Sequence, residues 1–186
     1  MFGAIGDRYG EALVCSHVGC LHGVRGEHDA GRAALARSLQ LRQGLGDRRA
    51  IGLTLCNQGV LTASAGSVER GIVLLQRGLA GFRETEDAPG RVGSTLTMAS
   101  VYADAGAFDE AHRLLSEALL ESRRIPGNHR ATAWGYAMFS DVCRRLGQPD
   151  EAGRALDDAR ERFEALGAVD GTAHVQAAVR ALQSRR

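Results

Sequence analysis

Four glycines set the ruler for this chain. Gly26, Gly66, Gly106 and Gly147 stand 40, 40 and 41 residues apart. Other residue types repeat in phase with them. Nineteen positions before each glycine come Asp7, Asp47, Asp87 and Asn128, types whose side chains cap the free N–H groups of a starting helix. Three positions after come Asp29, Glu69, Asp109 and Asp150, acids suited to the positive end of a second helix. A period near 40 residues with two helix starts per period describes one helical hairpin per copy. A lone hairpin cannot bury its apolar face, so copies must stack.

Three columns hold only small residues. They are Gly19, Gly59, Ala99 and Ser140; Gly31, Gly71, Ala111 and Ala152; and Ser38, Gly78, Ala118 and Ala159. Small side chains at fixed places let paired helix backbones approach closely. Between them run apolar columns: Leu35, Leu75, Leu115 and Leu156, then Leu21, Leu61, Val101 and Val142. Such spacings give each helix one apolar face. The expected unit is helix A, a turn at glycine, helix B and a second short turn. Each helix should run about 16–18 residues, near 25 Å.

Composition agrees with a helical, globular chain. Only 5% of the 186 residues are aromatic, so the core must be Leu, Ala and Val. All 23 basic residues are Arg, and the net charge of +1 offers no electrostatic grip on nucleic acid or an anionic membrane. No direct nucleic-acid or membrane partner is expected. With no signal peptide and no long apolar run, a soluble cytoplasmic protein is expected.

In "LTMASVYADAG", Ala99 stands three before Tyr102; in "FDEAHRLLSEAL" and "PDEAGRALDDA", small residues stand seven apart at Ala111 and Ala118 and at Ala152 and Ala159. These segments resemble the tetratricopeptide repeat. The resemblance implies an all-α fold, a right-handed α-solenoid of four hairpins plus a C-terminal capping helix. The boundaries are 7–46, 47–86, 87–127, 128–167 and 168–186 within a single domain, with residues 1–6 as the tail of a preceding helix B. Phe2 and Gly6 share columns with Phe82, Phe163, Gly46 and Gly167, and the expectation is a chain cut from, or restarting within, a longer array. The period departs from the family's 34 residues, and His22 and Thr62 occupy the Tyr102 column.

In that family helix A lines a concave groove that holds a peptide or partner helix. The groove positions are Leu13, Ser16, His17 and Cys20 in copy one, and Leu53, Cys56, Asn57, Val60 and Ser64 in copy two. Copy three gives Leu96, Thr97, Ser100 and Asp104; copy four gives Trp134, Ala137, Asp141, Arg144 and Arg145. Asn57 matches an Asn that in the family can bond a ligand backbone. Trp134 is either a groove anchor or a packing residue against the neighbouring copy. The open N-terminal end could seat a second chain.

Candidate chemistry is sparse. Cys15, His17, Cys20, His22 and His28 form a dense Cys/His cluster, but on a helix Cys15 and His22 share a face while His17 and Cys20 point elsewhere, so they do not converge as zinc requires. No phosphate loop or nucleophile elbow is present. Neither a catalytic residue nor a metal or other cofactor is expected. The "GDR" turns, the 40-residue period and the Arg-rich composition resemble repeat arrays at the C-terminal end of bacterial signalling ATPases, including actinobacterial transcriptional regulators. The resemblance implies a regulatory binding module. The alternative is a small-molecule binder or biosynthetic enzyme on a helical-repeat scaffold, motivated by Asp104, Asp141, Arg144 and Arg145 near Trp134.

Overall fold

The computed structural model describes residues 7–126 and 129–183. Phe2, Gly6 and Asn128 lie outside them, so the two expectations placed there have no structural counterpart. Among the described residues there are nine α-helices and no strand. The helices are α1 (Arg8–Val24), α2 (His28–Leu45), α3 (Arg48–Ser64), α4 (Val68–Glu84), α5 (Ala88–Asp104), α6 (Phe108–Ser122), α7 (His129–Arg145), α8 (Pro149–Ala165) and α9 (Val169–Gln183). The fold is an all-α helical repeat of the solenoid class. Packing divides the chain into two compact units, Met1–Thr97 and Met98–Arg186.

The caps fall where the repeat puts them. Asp7 accepts from the Gly10 amide at 2.9 Å, Asp47 from Ala50 at 2.9 Å and Asp87 from Gly90 at 3.0 Å. The acids Asp29, Glu69, Asp109 and Asp150 each sit in the first turn of a helix B. Between the two helices the chain reverses at Gly26, Gly66, Gly106 and Gly147, with φ of 75°, 91°, 78° and 74°. That left-handed backbone is what glycine supplies without steric cost.

In the first unit α1 pairs with α2 and α3 with α4 at very short range. A Cβ on Gly59 would stand 2.8 Å from the Gly71 carbonyl oxygen, and one on Gly71 would stand 2.6 Å from that of Gly59. A Cβ on Gly78 would meet the Gly52 carbonyl at 2.7 Å and Cys56 Sγ at 2.5 Å. All twelve small-column residues are buried. So are Leu35, Leu75, Leu115 and Leu156. In the second unit α7 packs on α8, α8 on α9 and α6 on α7.

The Leu21 column shows what stacking does. Leu61 is 4% exposed and reaches back to Gly23 and Gly31 of the preceding hairpin. Leu21 belongs to the first described hairpin and is 58% exposed, on the same helix as exposed Val14 and Val18.

Two features lie beyond the sequence reading. Phe82 presses on Gly90, and Phe163 on Gly171, where a Cβ would overlap the ring. Arg42 takes the column of Phe82 and Phe163 and is itself buried. Its guanidinium donates to the Ala50 carbonyl at 2.7 Å and to Thr54 Oγ1 at 2.8 Å, tying α2 to α3. Burial lowers its pKa, with Asp47 and Tyr9 opposing.

Glu86 occupies the helix-B exit that Gly46 and Gly167 fill elsewhere, and it is the non-glycine residue with positive φ, 54°, among those described. Glu86→Gly should therefore raise stability by about 1 kcal/mol, since a left-handed side-chain-bearing residue costs roughly 1–2 kcal/mol. Equilibrium urea unfolding reads this, and an unchanged or lower midpoint would show that the turn carries no such strain.

Candidate functional site

Among the described residues, each unit has a cleft bordered by helix A side chains. The larger, about 660 Å³, is walled by α7, α8 and α9. Trp134, Ala137, Asp141 and Arg144 stand on successive turns of α7, with Met138 and Ser140 beside them. Leu156 supplies the floor from α8, and His174, Ala177 and Ala178 the far wall from α9. Trp134 is 38% exposed. Its ring meets Phe163 edge-on at 5.1 Å and lies 5.3 Å from the His174 ring. One edge of the side chain packs on Phe163 while the rest borders the cleft. Arg144 pairs with Asp141 one turn earlier. Arg145 turns away and lies over the Phe108 ring, 5.8 Å from its centroid.

The smaller cleft, about 310 Å³, lies wholly in the first unit. Leu53, Cys56 and Asn57 of α3 line it with Ser94 and Thr97 of α5, above Phe82. Asn57 Nδ2 donates to Ser16 Oγ at 3.3 Å, and Cys56 Sγ contacts Ser94 Oγ at 3.3 Å. Burial pushes the Cys56 thiol pKa up, and the Ser94 hydrogen bond opposes it. Arg49 at the rim pairs with Asp87 at 2.6 Å, the same carboxylate that caps α5.

The remaining groove positions fall outside both clefts. Leu13, His17, Cys20, Val60, Ser64 and Asp104 are exposed and Ser100 is half-buried. Ser16 and Leu96 are buried, Ser16 beneath Asn57. The wall supplied by α9 had no counterpart in the sequence reading, which took that helix only as a cap. The signal was available: Gly171 follows Phe163 at the spacing by which Gly90 follows Phe82, marking α9 as one more helix A.

The N-terminal Cys/His residues do not converge. Cys15 is half-buried, Cys20 and His17 are exposed, and His22 pairs with Glu27. A different trio does converge in the second unit. His112 of α6, Cys143 of α7 and Glu151 of α8 place their ligand atoms within 4.8 Å of one another. Burial first, then the Glu151 charge, push the Cys143 thiol pKa up to about 12.

With this geometry in place, likeness to known proteins is informative. Residues 91–165 match the tetratricopeptide repeat family model. That stretch runs from α5 to the end of α8. No curated protein matches the sequence. BtubC (BKLC) from P. vanneervenii superposes with a TM-score of 0.71 at 14% identity, over 84% of this chain and 65% of its own. The apo form of RapI gives 0.71 at 14% identity, over 94% and 69%. Nearly identical TPR-like repeats from Podosopora anserina give 0.65 at 14% identity, over 93% and 95%. This chain therefore spans slightly less than two thirds of BtubC. At this identity the likeness is one of fold. Among the described residues no helix is long and apolar enough to cross a membrane.

Proposed function

We propose that this chain is a protein- or peptide-binding tetratricopeptide module with no catalytic role of its own, serving as the cytoplasmic regulatory part of a bacterial transcriptional regulator or signalling ATPase. The observation that carries the binding role is the α7–α9 cleft. It is open, floored by apolar side chains, and bordered by the chain's single Trp and by the Asp141–Arg144 pair. A half-exposed aromatic beside an ion pair suits a partner segment that brings one apolar side chain and adjacent backbone polar groups. The same polar and aromatic lining motivates the second reading, a small-molecule site on a helical-repeat scaffold. The cleft's openness favours the first, because small ligands bind best in enclosing pockets.

The regulatory part of the proposal rests on the "GDR" turns, the 40-residue period and the all-Arg basic composition. In this reading the cleft senses a partner and restrains enzymatic and DNA-binding regions outside this chain. The exposed Val14, Val18 and Leu21 face of α1 supports self-association at that end.

Panning a random-peptide display library against the intact chain tests the binding role. Selected peptides should quench or shift Trp134 fluorescence. They should bind Trp134→Ala and Arg144→Ala at least tenfold more weakly, while the thermal midpoint of Arg144→Ala stays near wild type. Failure to select any peptide, or wild-type affinity in both variants, would reject this cleft as the peptide site. Sedimentation of the same preparation over rising concentration reads self-association, which a monomer throughout would exclude.

A further inference from the structure

We propose that His112, Cys143 and Glu151 form a zinc site at the junction of α6, α7 and α8, with one coordination position left for water or an exchangeable ligand. The argument starts from the donor set. Imidazole nitrogen, thiolate and carboxylate are the three ligand types that zinc accepts, and three protein ligands plus an open position describe a zinc site that is not purely structural.

The spacing fits. In a tetrahedral site with zinc–ligand bonds of about 2.0–2.3 Å, neighbouring donors stand roughly 3.4–3.7 Å apart. His112 Nε2 and Glu151 Oε2 are already 3.6 Å apart, and Cys143 Sγ lies within 4.8 Å of both. Side-chain adjustments of about an ångström would close the set.

His112 supplies a second, independent observation. Its Nε2 is buried with no hydrogen-bond partner. A polar atom hidden from water without a partner is costly, and each such case asks for a ligand, water or ion to satisfy it. The ring itself is held, tilted against Phe139 with centroids 4.8 Å apart. A ring fixed in this way presents Nε2 toward the Glu151 carboxylate, 3.6 Å away, without further ordering.

The repeat acts as its own control. Moving the three positions back by one copy gives Ile72, Tyr102 and Glu110; moving back again gives Arg32, Thr62 and Arg70. Neither set offers three ligands of zinc-binding type. Two of the three donors therefore depart from the repeat at one junction, where they join a Glu151 that the preceding copy already carries as Glu110. Cys143 replaces Tyr102 of its column, and His112 replaces Ile72. The shared hairpin frame does not require either change.

Zinc would enter with His112 neutral and with the Cys143 thiol proton released to solvent. Three helices would then be bridged by one ion, which makes this junction responsive to the supply of a divalent metal.

The test uses the intact chain, stripped with chelator and titrated with Zn²⁺ against a chromophoric competitor, and separately with Co²⁺. The expected result is one zinc per chain and a rise in thermal midpoint on loading. Co²⁺ should give tetrahedral visible absorption and a near-ultraviolet thiolate charge-transfer band. Cys143→Ser should abolish that band. His112→Gln and Glu151→Gln, both at half-buried positions, should weaken zinc at least tenfold, while Cys20→Ser leaves it unchanged. Absence of stoichiometric zinc on the wild-type chain would overturn the proposal. So would wild-type affinity in His112→Gln and Glu151→Gln, which decide the matter even where Cys143→Ser fails to fold.

Discussion

The hairpins close because their backbones can touch. Between α3 and α4 a carbonyl of one helix lies where a side chain of the other would begin, at Gly59 facing Gly71 and at Gly52 facing Gly78. Ordinary helix pairs stand 8–10 Å apart with side chains interleaved. Here side-chain bulk is missing at the crossing. Leu75 fills the space beside it and is 1% exposed. The later hairpins use Ala or Ser in the same columns, and those residues are equally buried.

This close approach leaves the remaining helix A faces to do other things. Where a described hairpin precedes, the face is covered, as Leu61 is. Where larger side chains step back, clefts remain. Trp134 and His174, in ring contact, border one, and Leu53 and Asn57 border another. The clefts are consequences of tight pairing within hairpins and looser packing between helices A.

Most of the fold was legible in the sequence because glycine, aspartate and alanine at these columns answer strict local demands. A reversal with positive φ, a capped amide and a backbone crossing each admit few residue types. The coupling of Phe82 to Gly90 and of Phe163 to Gly171 was missed, since it joins columns of neighbouring copies rather than positions of one copy. Arg42 was missed for a related reason. Its column otherwise holds Phe82 and Phe163, and Ala50 and Thr54 satisfy its guanidinium in the interior. The candidate site was harder to read. Helical phase alone did not separate cleft-lining Asn57 from buried Leu96, nor Arg144 at the cleft from Arg145 over Phe108. The His112, Cys143 and Glu151 trio draws on three helices, and its spacings of 31 and 8 residues carry no recognisable ligand motif.

The central claim, that hairpin closure depends on missing side-chain bulk, is tested by one added methyl group at two glycines of the first unit. Gly71 would place its Cβ 2.6 Å from the Gly59 carbonyl oxygen and 2.8 Å from the Ala63 Cβ, whereas a Cβ on Gly44 in α2 meets nothing within 4 Å. Equilibrium denaturation should show Gly71→Ala less stable by about 1–3 kcal/mol and Gly44→Ala more stable by about 0.5–1 kcal/mol, the helix-propensity gain of alanine. Two equal gains would mean that the backbones do not meet at that crossing, and the account would be wrong.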